Sequence, residues 1–268
     1  MPELPEVETV VRILSSQIIH QTIQGITIRW DKTVENKTSF INEVIGQSIQ
    51  SISRRGKYIC VNLNRGTILI HLRMEGKFYI RDKNEVPFKH THVILHLDAY
   101  NLEFNDTRKF GRMMYTEDAQ SYLNTKLGLE PFDQNLTIDY LRKKAKNRKV
   151  ALKTFLLDQS VIAGIGNIYS DEICFKMMCN PHTSVAKLTK KDWANCILFT
   201  RTILQSAIDA GGTSVRSYTS SLGVTGLFQL NILVYGRANQ PCHNCQTLLV
   251  RAVIGQRSSV YCPNCQKR

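Results

Sequence analysis

Apolar residues recur at Val7, Val10, Val11, Leu14 and Ile18, directly behind Pro5 and the acidic positions Glu3, Glu6 and Glu8. That spacing predicts an amino-terminal helix, whose first turn suits both proline and negative charge. Beyond it the period shortens. Segments 22–30, 48–53, 57–63, 67–72, 77–80, 92–97 and 101–104 are short, rich in β-branched residues and separated by Gly, Asn or Asp. They predict the strands of a β-sandwich or barrel. From about 118 to 210 the pattern is mostly helical, and 228–235 reads as a strand entering a cysteine-bearing end. Gly128, Pro131 and the polar stretch 133–135 mark a boundary. The fold class is α+β and multidomain: a helix and β-sandwich over 1–131, a hinge over 132–136, a helical domain over 137–235, and the cysteine-bearing segment 236–268. The sequence contains no internal repeat and no low-complexity tract.

With 268 residues, 43% of them hydrophobic, the chain can bury a substantial core. Its formal charge of +13 points to a polyanionic partner, either nucleic acid or an anionic membrane surface. No run of 18 apolar residues occurs, and the start lacks the basic-then-apolar layout of a secretory signal, so a cytosolic protein is expected. Positive charge concentrates at Arg142, Lys143, Lys144, Lys146, Arg148, Lys149 and Lys153, with no acidic residue among them. Taken alone, such a run describes a solvated helix face more often than a binding surface. It leads, however, into Ala163-Gly164-Ile165-Gly166-Asn167, and glycines before a helix start leave backbone amides facing outward, where an anion binds readily.

Eight cysteines fall into two groups. Cys60, Cys174, Cys179 and Cys196 are scattered among apolar neighbours and read as buried thiols. Cys242, Cys245, Cys262 and Cys265 form two C-x2-C pairs separated by sixteen residues, the spacing of a four-cysteine zinc site, with paired disulfides as the weaker alternative in a cytosolic protein. Four thiolates leave no open coordination position, so one structural zinc ion is expected. Residues 236–268 hold five basic side chains (Arg237, Arg251, Arg257, Lys267 and Arg268) and no acidic one, which suits a hairpin laid against phosphates; zinc hairpins also bind proteins.

Removal of Met1 leaves Pro2 as a secondary amine beside Glu3. An α-amino group titrates near pH ~8, against ~10.4 for lysine, so a useful fraction is nucleophilic at neutral pH. Such an amine can attack an electrophilic carbon and form a cationic iminium, while Glu3 supplies or takes the proton. The string Pro2 to Glu8, PELPEVE, resembles the amino terminus of the formamidopyrimidine-DNA glycosylases, bacterial enzymes that excise 8-oxoguanine and ring-opened purines. The resemblance extends through GIGNIYSDE at 164–172 and the cysteine spacing, and so covers almost the whole chain.

The resemblance implies a β-sandwich led by a catalytic helix, a helix-two-turn-helix domain and a zinc-finger β-hairpin. It implies double-stranded DNA containing oxidised purines as substrate, and a monomer that needs no redox or nucleotide cofactor. It gives Pro2 as nucleophile at the sugar C1′, Glu3 as acid and base, Glu6 as a further carboxylate of the site, and Lys57 as a phosphate contact assisting strand cleavage. By the same resemblance Arg257, near the hairpin tip, grips the lesion phosphate and takes part in the final elimination. His90, Arg148, Lys153 and Asn167 match DNA contacts, and Met74, Arg108 and Phe110 match a void-filling triad with Arg108 facing the orphaned cytosine. Pattern alone leaves burial in the sandwich and exposure in a loop equally open for Met74 and Phe110, and an isolated His90 favours packing or simple exposure. Thr154 and Gln246 depart from the family's proline and glycine, which puts a helix start and a turn in doubt but not the ligand set.

Residues 211–229 are polar and glycine-bearing, which fits either a lid over a flipped base or a plain connector. Three functions remain in view: the bifunctional purine glycosylase and lyase, an endonuclease VIII-like enzyme for oxidised pyrimidines, and a non-catalytic zinc-dependent DNA-binding protein. Leu4 favours the purine branch, because endonuclease VIII enzymes usually begin Pro-Glu-Gly-Pro-Glu. Pro2, Glu3 and Lys57 argue against the third.

Overall fold

The computed structural model describes residues 1–213 and 231–267, which divide into two compact units. The first comprises Met1–Thr125 with 211–213, and the second comprises Lys126–Ala210 with 231–267. In the first unit the expected helix is α1, Leu4–Ile18, and Val7, Val10, Val11, Leu14 and Ile18 are all buried. At about 2 kcal/mol per buried aliphatic side chain, that stripe fixes the helix on the sheets far more firmly than helix propensity does.

Two four-stranded antiparallel sheets make up the sandwich. One has the order β1-β6-β7-β5, from Gly25–Ile28, Thr91–His96, Asn101–Asn105 and Lys77–Arg81. The other has the order β2-β3-β4-β8, from Ile49–Arg55, Tyr58–Leu63, Thr67–His71 and Arg112–Thr116. Their inner faces and α1 share one core, with Phe40, Ile59, Ile70, Phe78, Val93 and Phe104 at its centre. Two elements escaped the sequence pattern. Helix α2, Lys37–Val44, is short and polar, burying only Phe40 and Val44. Strand β8 is an edge strand with a single buried residue, Met113, so its sequence shows no sustained alternation.

In the second unit α3 is absent, since Ala119–Asn124 precedes it in the first. Its helices are α4 (Ile138–Ala145), α5 (Leu152–Leu157), α6 (Asn167–Lys176) and α7 (Lys190–Asp209), packed around Phe155, Tyr169, Trp193 and Leu204. The segment read as a hinge, 132–136, is fastened inside this unit: Leu136 is buried, and Arg201 on α7 donates to the carbonyls of Pro131, Asp133 and Leu136. The compact units divide earlier, between Thr125 and Lys126. The strand expected over 228–235 lies partly outside the described residues, and its described part, 231–235, is not a strand. There the N–H groups of Leu233, Val234 and Tyr235 donate to the buried Glu172 carboxylate, each at 2.9 Å. A side chain on α6 thus satisfies donors that a neighbouring strand would otherwise take. The chain ends in a hairpin of β9, Val250–Ile254, and β10, Arg257–Tyr261.

Cys60, Cys174, Cys179 and Cys196 are buried thiols, as the sequence indicated. Burial pushes the Cys174 thiol well above its ordinary value and Cys196 up to about 12, so neither supplies a thiolate near neutral pH. Among the described residues no helix is long and apolar enough to cross a membrane.

Candidate active site and nucleic-acid interface

Pro2, Glu3 and Glu6 are buried at the start of α1, in a segment shaped by its own carboxylates. Glu3 is the N-cap in an extended conformation and forms a capping box with Glu6, whose Oε2 accepts the Glu3 N–H at 2.9 Å. Glu6 Oε1 accepts the Thr213 N–H at 2.8 Å and its hydroxyl at 2.9 Å. Gly212 makes this approach possible: it adopts φ +80°, and a Cβ there would lie 3.0 Å from Glu6 Oε1. Glu6 therefore binds the helix start and residue 213 together, which fixes the backbone of Glu3.

The amino-terminal ammonium of Met1 is held below its ordinary value, chiefly by burial, with Lys57 pushing the same way and Glu3, Glu6 and Glu75 opposing. Lys57, itself 5% exposed, reaches this place through a two-residue turn. Arg55 and Tyr58 pair across β2 and β3, leaving Gly56 and Lys57 as the loop, with Gly56 at φ +59° as a II′-type turn requires. Arg54 braces the turn, donating from Nε to Glu8 on α1 at 3.0 Å and from its terminal nitrogen to the Gly56 carbonyl at 3.1 Å.

One residue of this neighbourhood was missed from the sequence. His71, at the end of β4, pairs with Tyr58 in register and accepts the Arg73 N–H on Nδ1 at 3.0 Å. Burial, then Arg73 and Lys57, push its pKa down to about 3, so the imidazole is neutral and its Nε2 carries the proton. The available signal was its place one step before the loop of Met74, in the strand paired with the one following Lys57. A base whose folded pKa is lowered contributes full stability above its unfolded pKa and loses it as pH falls through the window between the two. We expect His71 to cost roughly 4–5 kcal/mol of stability between pH ~6.5 and ~3. Denaturant melts across that window should be markedly flatter for His71→Gln; parallel curves would exclude His71 as the source.

Met74 is half-buried in the loop between β4 and β5, whereas Phe110 is 47% exposed in the loop between β7 and β8. Exposed Arg108 stands with its guanidinium 5.0 Å from the Phe110 ring centroid. Core burial, left open for Phe110 by the pattern, does not occur. His90 is half-buried just before β6, and its carbonyl accepts the N–H of Asp106 at 3.0 Å, which places it beside the Arg108 loop.

In the second unit Asn167 opens α6 behind Gly166, and its buried Oδ1 has no hydrogen-bond partner among the described residues. The preceding turn is drawn tight by Gln159, which donates to the carbonyls of Leu157 and Ile165 and accepts from the Gly164 N–H. The basic run is divided. Arg142, Lys143, Lys146 and Lys149 are exposed, but Lys144 donates to the Ser160 carbonyl and Arg148 pairs with Asp158 at 2.9 Å while lying over Phe155. Lys153, matched to a DNA contact, is wholly buried instead, its ammonium 2.7 Å from Asp171 and 2.8 Å from the Ser258 carbonyl. Burial pushes the Asp171 carboxyl up against the pull of Lys153, Ser259 and Val260. This cluster anchors β10 to α5 and α6.

Arg257 is exposed on the first position of β10, directly after Gly255 and Gln256, both left-handed as an I′-type turn requires. The two departures noted in the sequence are local. Thr154 leaves α5 starting at Leu152 and packs under the hairpin tip, where a Cβ on Gly255 would lie 2.7 Å from its hydroxyl. Gln246 takes the left-handed conformation, φ +62°, that glycine adopts more freely.

The four hairpin cysteines fit a zinc ion. Their sulfurs all lie within 4.8 Å of one another, with Cys242 and Cys265 3.9 Å apart and Cys245 and Cys262 3.5 Å apart. Zn–S bonds of about 2.3 Å in a tetrahedron require sulfur separations of about 3.8 Å. The Cys265 N–H points at the Cys262 sulfur at 3.3 Å, a contact that favours thiolate.

Comparison with known proteins agrees with this geometry along the full chain. Residues 1–113 match the family model described as the formamidopyrimidine-DNA glycosylase N-terminal domain, 127–219 match its H2TH domain, and 239–268 match a zinc finger found in FPG and IleRS. The chain is 41% identical to the formamidopyrimidine-DNA glycosylase of Bacillus licheniformis and 40% identical to that of Bacillus subtilis, in each case over 100% of both chains. Its structure resembles Lactococcus lactis Fpg in complex with abasic-site DNA, at TM-score 0.94 and 33% identity, covering 99% of this chain and 100% of that one. A variant of the same Lactococcus protein, bound to DNA containing Fapy-dG, matches at TM-score 0.94 over 100% of both chains. The chain belongs to the formamidopyrimidine-DNA glycosylase family.

Proposed function

We propose that this protein is a base-excision-repair DNA glycosylase with lyase activity, removing oxidised purines from duplex DNA. The observation that carries the reading is the burial of Pro2, Glu3 and Glu6 together at the start of α1, with the buried Lys57 close enough to act on the amino terminus. Loss of Met1 transfers that environment to the secondary amine of Pro2, where a lowered pKa raises the nucleophilic fraction at neutral pH. Base chemistry inside a duplex is sterically blocked, so the nucleotide is extruded and its place filled by Met74, Arg108 and Phe110. Asn167, His90, Arg148 and the exposed basic side chains hold backbone phosphates, while Lys153 keeps the hairpin of Arg257 in place.

Pro2 nitrogen bonds to C1′ as the C1′–base bond breaks, and Glu3 moves the proton that the leaving base requires. The C1′–O4′ bond then opens, O4′ taking a proton as the nitrogen lone pair forms C=N, and the iminium so produced acidifies C2′. Proton loss there expels the 3′ phosphate, a second elimination expels the 5′ phosphate, and hydrolysis of the sugar adduct returns the amine. Lys57 and Arg257 stabilise the departing phosphates. Zinc takes no part in these steps; held by Cys242, Cys245, Cys262 and Cys265, it supplies the fold of the hairpin. The protein works as a monomer in the bacterial cytoplasm, at the nucleoid.

Borohydride reduction of enzyme mixed with lesion-bearing duplexes tests this reading. A covalent complex is expected with 8-oxoguanine or formamidopyrimidine duplexes. Selective trapping on oxidised pyrimidines would instead establish endonuclease VIII-like specificity, and binding without trapping a non-catalytic DNA-binding protein.

A further inference from the structure

The loop that carries Arg108 and Phe110 is organised around one carboxylate. Asp106 is fully buried; its Oδ1 accepts the Arg108 N–H at 3.0 Å, and its Oδ2 accepts those of Phe110 at 2.8 Å and Gly111 at 2.7 Å. Its backbone is equally engaged: the N–H donates to the His90 carbonyl at 3.0 Å, and the carbonyl lies 2.7 Å from Nε2 of buried His92. Lys109 passes through the left-handed region at φ +61°, so the loop holds a conformation that an unsupported chain rarely adopts.

This loop is also locked to the one that carries Met74. A Cβ on Gly111 would lie 2.4 Å from the Phe104 ring, and one on Gly76 would lie 2.8 Å from the same ring and 2.6 Å from the Leu72 carbonyl. Both loops therefore close on a single buried phenyl ring, and the Thr107 hydroxyl donates across to the Glu75 carboxylate. The backbone amides that position Arg108 and Phe110 end on Asp106, while their side chains face outward.

We propose that Asp106 is the positioning residue of the void-filling wedge and, through the Arg108 loop, sets discrimination of the base opposite the lesion. The inference rests on the void-filling role proposed for Arg108 under Proposed function, together with the position facing the orphaned cytosine that the family resemblance implies for it. A carboxylate serves three N–H donors with two acceptor oxygens. An isosteric carboxamide offers one acceptor oxygen and turns an NH2 group toward the remaining donor, so Asp106→Asn releases either Arg108 or the Phe110 and Gly111 pair.

The test is single-turnover excision of 8-oxoguanine paired with cytosine and with adenine, for wild type, Asp106→Asn, Arg108→Ala and the double variant. Asp106→Asn is expected to reduce the cytosine-to-adenine preference about tenfold, and the double variant to match Arg108→Ala, as residues acting through one another do. A wild-type preference in Asp106→Asn overturns the proposal, as does a further loss in the double variant. If Arg108→Ala alone keeps the wild-type preference, the assignment of Arg108 fails and the proposal falls with it; that outcome is separable because Asp106 is intact there. Should Asp106→Asn not fold, amide hydrogen exchange of the wild-type protein decides: the Arg108, Phe110 and Gly111 N–H groups held by Asp106 are expected to exchange at least about tenfold more slowly than unbonded loop amides, and exchange at the unbonded rate overturns the proposal.

Discussion

Pro2→Gly is expected to lower borohydride trapping on an 8-oxoguanine duplex by at least ~100-fold while leaving duplex affinity within about threefold of wild type. The asymmetry follows from the nitrogen. A secondary amine gives an iminium with no N–H proton to lose, so it stays cationic and keeps drawing electrons from C2′. Glycine offers a primary amine, whose imine is largely neutral near pH 7, and it lacks the ring that packs into the buried start of α1. Affinity is expected to be spared because the proposed phosphate contacts come from other residues. The pH profile carries a second signature. Only the unprotonated amine attacks, so trapping rises with pH through the amine's pKa and then levels off. Once Met1 is removed, the Pro2 amine takes over the place where burial holds the Met1 ammonium below its ordinary value, so the plateau should begin earlier than for a solvated amine. Trapping unchanged in Pro2→Gly, or a rise that continues past the solvated value, would remove Pro2 from the nucleophile's role.

What could be read from the sequence was set by how strongly each element depends on local pattern. Helix α1 buries a continuous apolar stripe, so its period was plain, and the cysteine spacing named its own metal. Strand β8 and helix α2 bury one and two residues respectively, which leaves no period to find. The proposed catalytic constellation is legible only because Pro2, Glu3 and Glu6 adjoin in sequence; Lys57 needs the resemblance, and His71 is missed. Its significance lies in a strand pairing and in burial beside Lys57 and Arg73, neither of which a single sequence displays. Lys153 shows the converse. A lysine in a basic run reads as a phosphate contact, yet its partner, Asp171, lies eighteen residues on and turns it inward. Charge density along the chain describes a surface only after the internal pairs have been subtracted.

Zinc removal is the second change with a large expected effect, because the hairpin has little else to fold around. The buried members of its apolar cluster are Phe175, Val234, Cys242, Leu249, Val260 and Cys262, and two of these six are themselves zinc ligands. Against that small core, structural zinc contributes about 10–16 kcal/mol in isolated fingers. The remaining attachments are polar: Ser258 on Lys153, Ser259 and Val260 on Asp171, and Gln266 bridging the Cys262 N–H and the Cys179 carbonyl. Each neutral bond adds only about 1 kcal/mol net, and once the hairpin loosens the buried Lys153 and Asp171 lose their shared partners. Chelation, or Cys245→Ser, should therefore unfold β9 and β10 and release Arg257, lowering incision by about 100-fold or more. The sandwich around α1 holds a separate core and should retain its own melting transition and amide protection. Metal analysis should return one zinc per chain in active protein. Incision that persists after complete zinc loss would show that the Lys153 and Asp171 cluster holds the hairpin by itself.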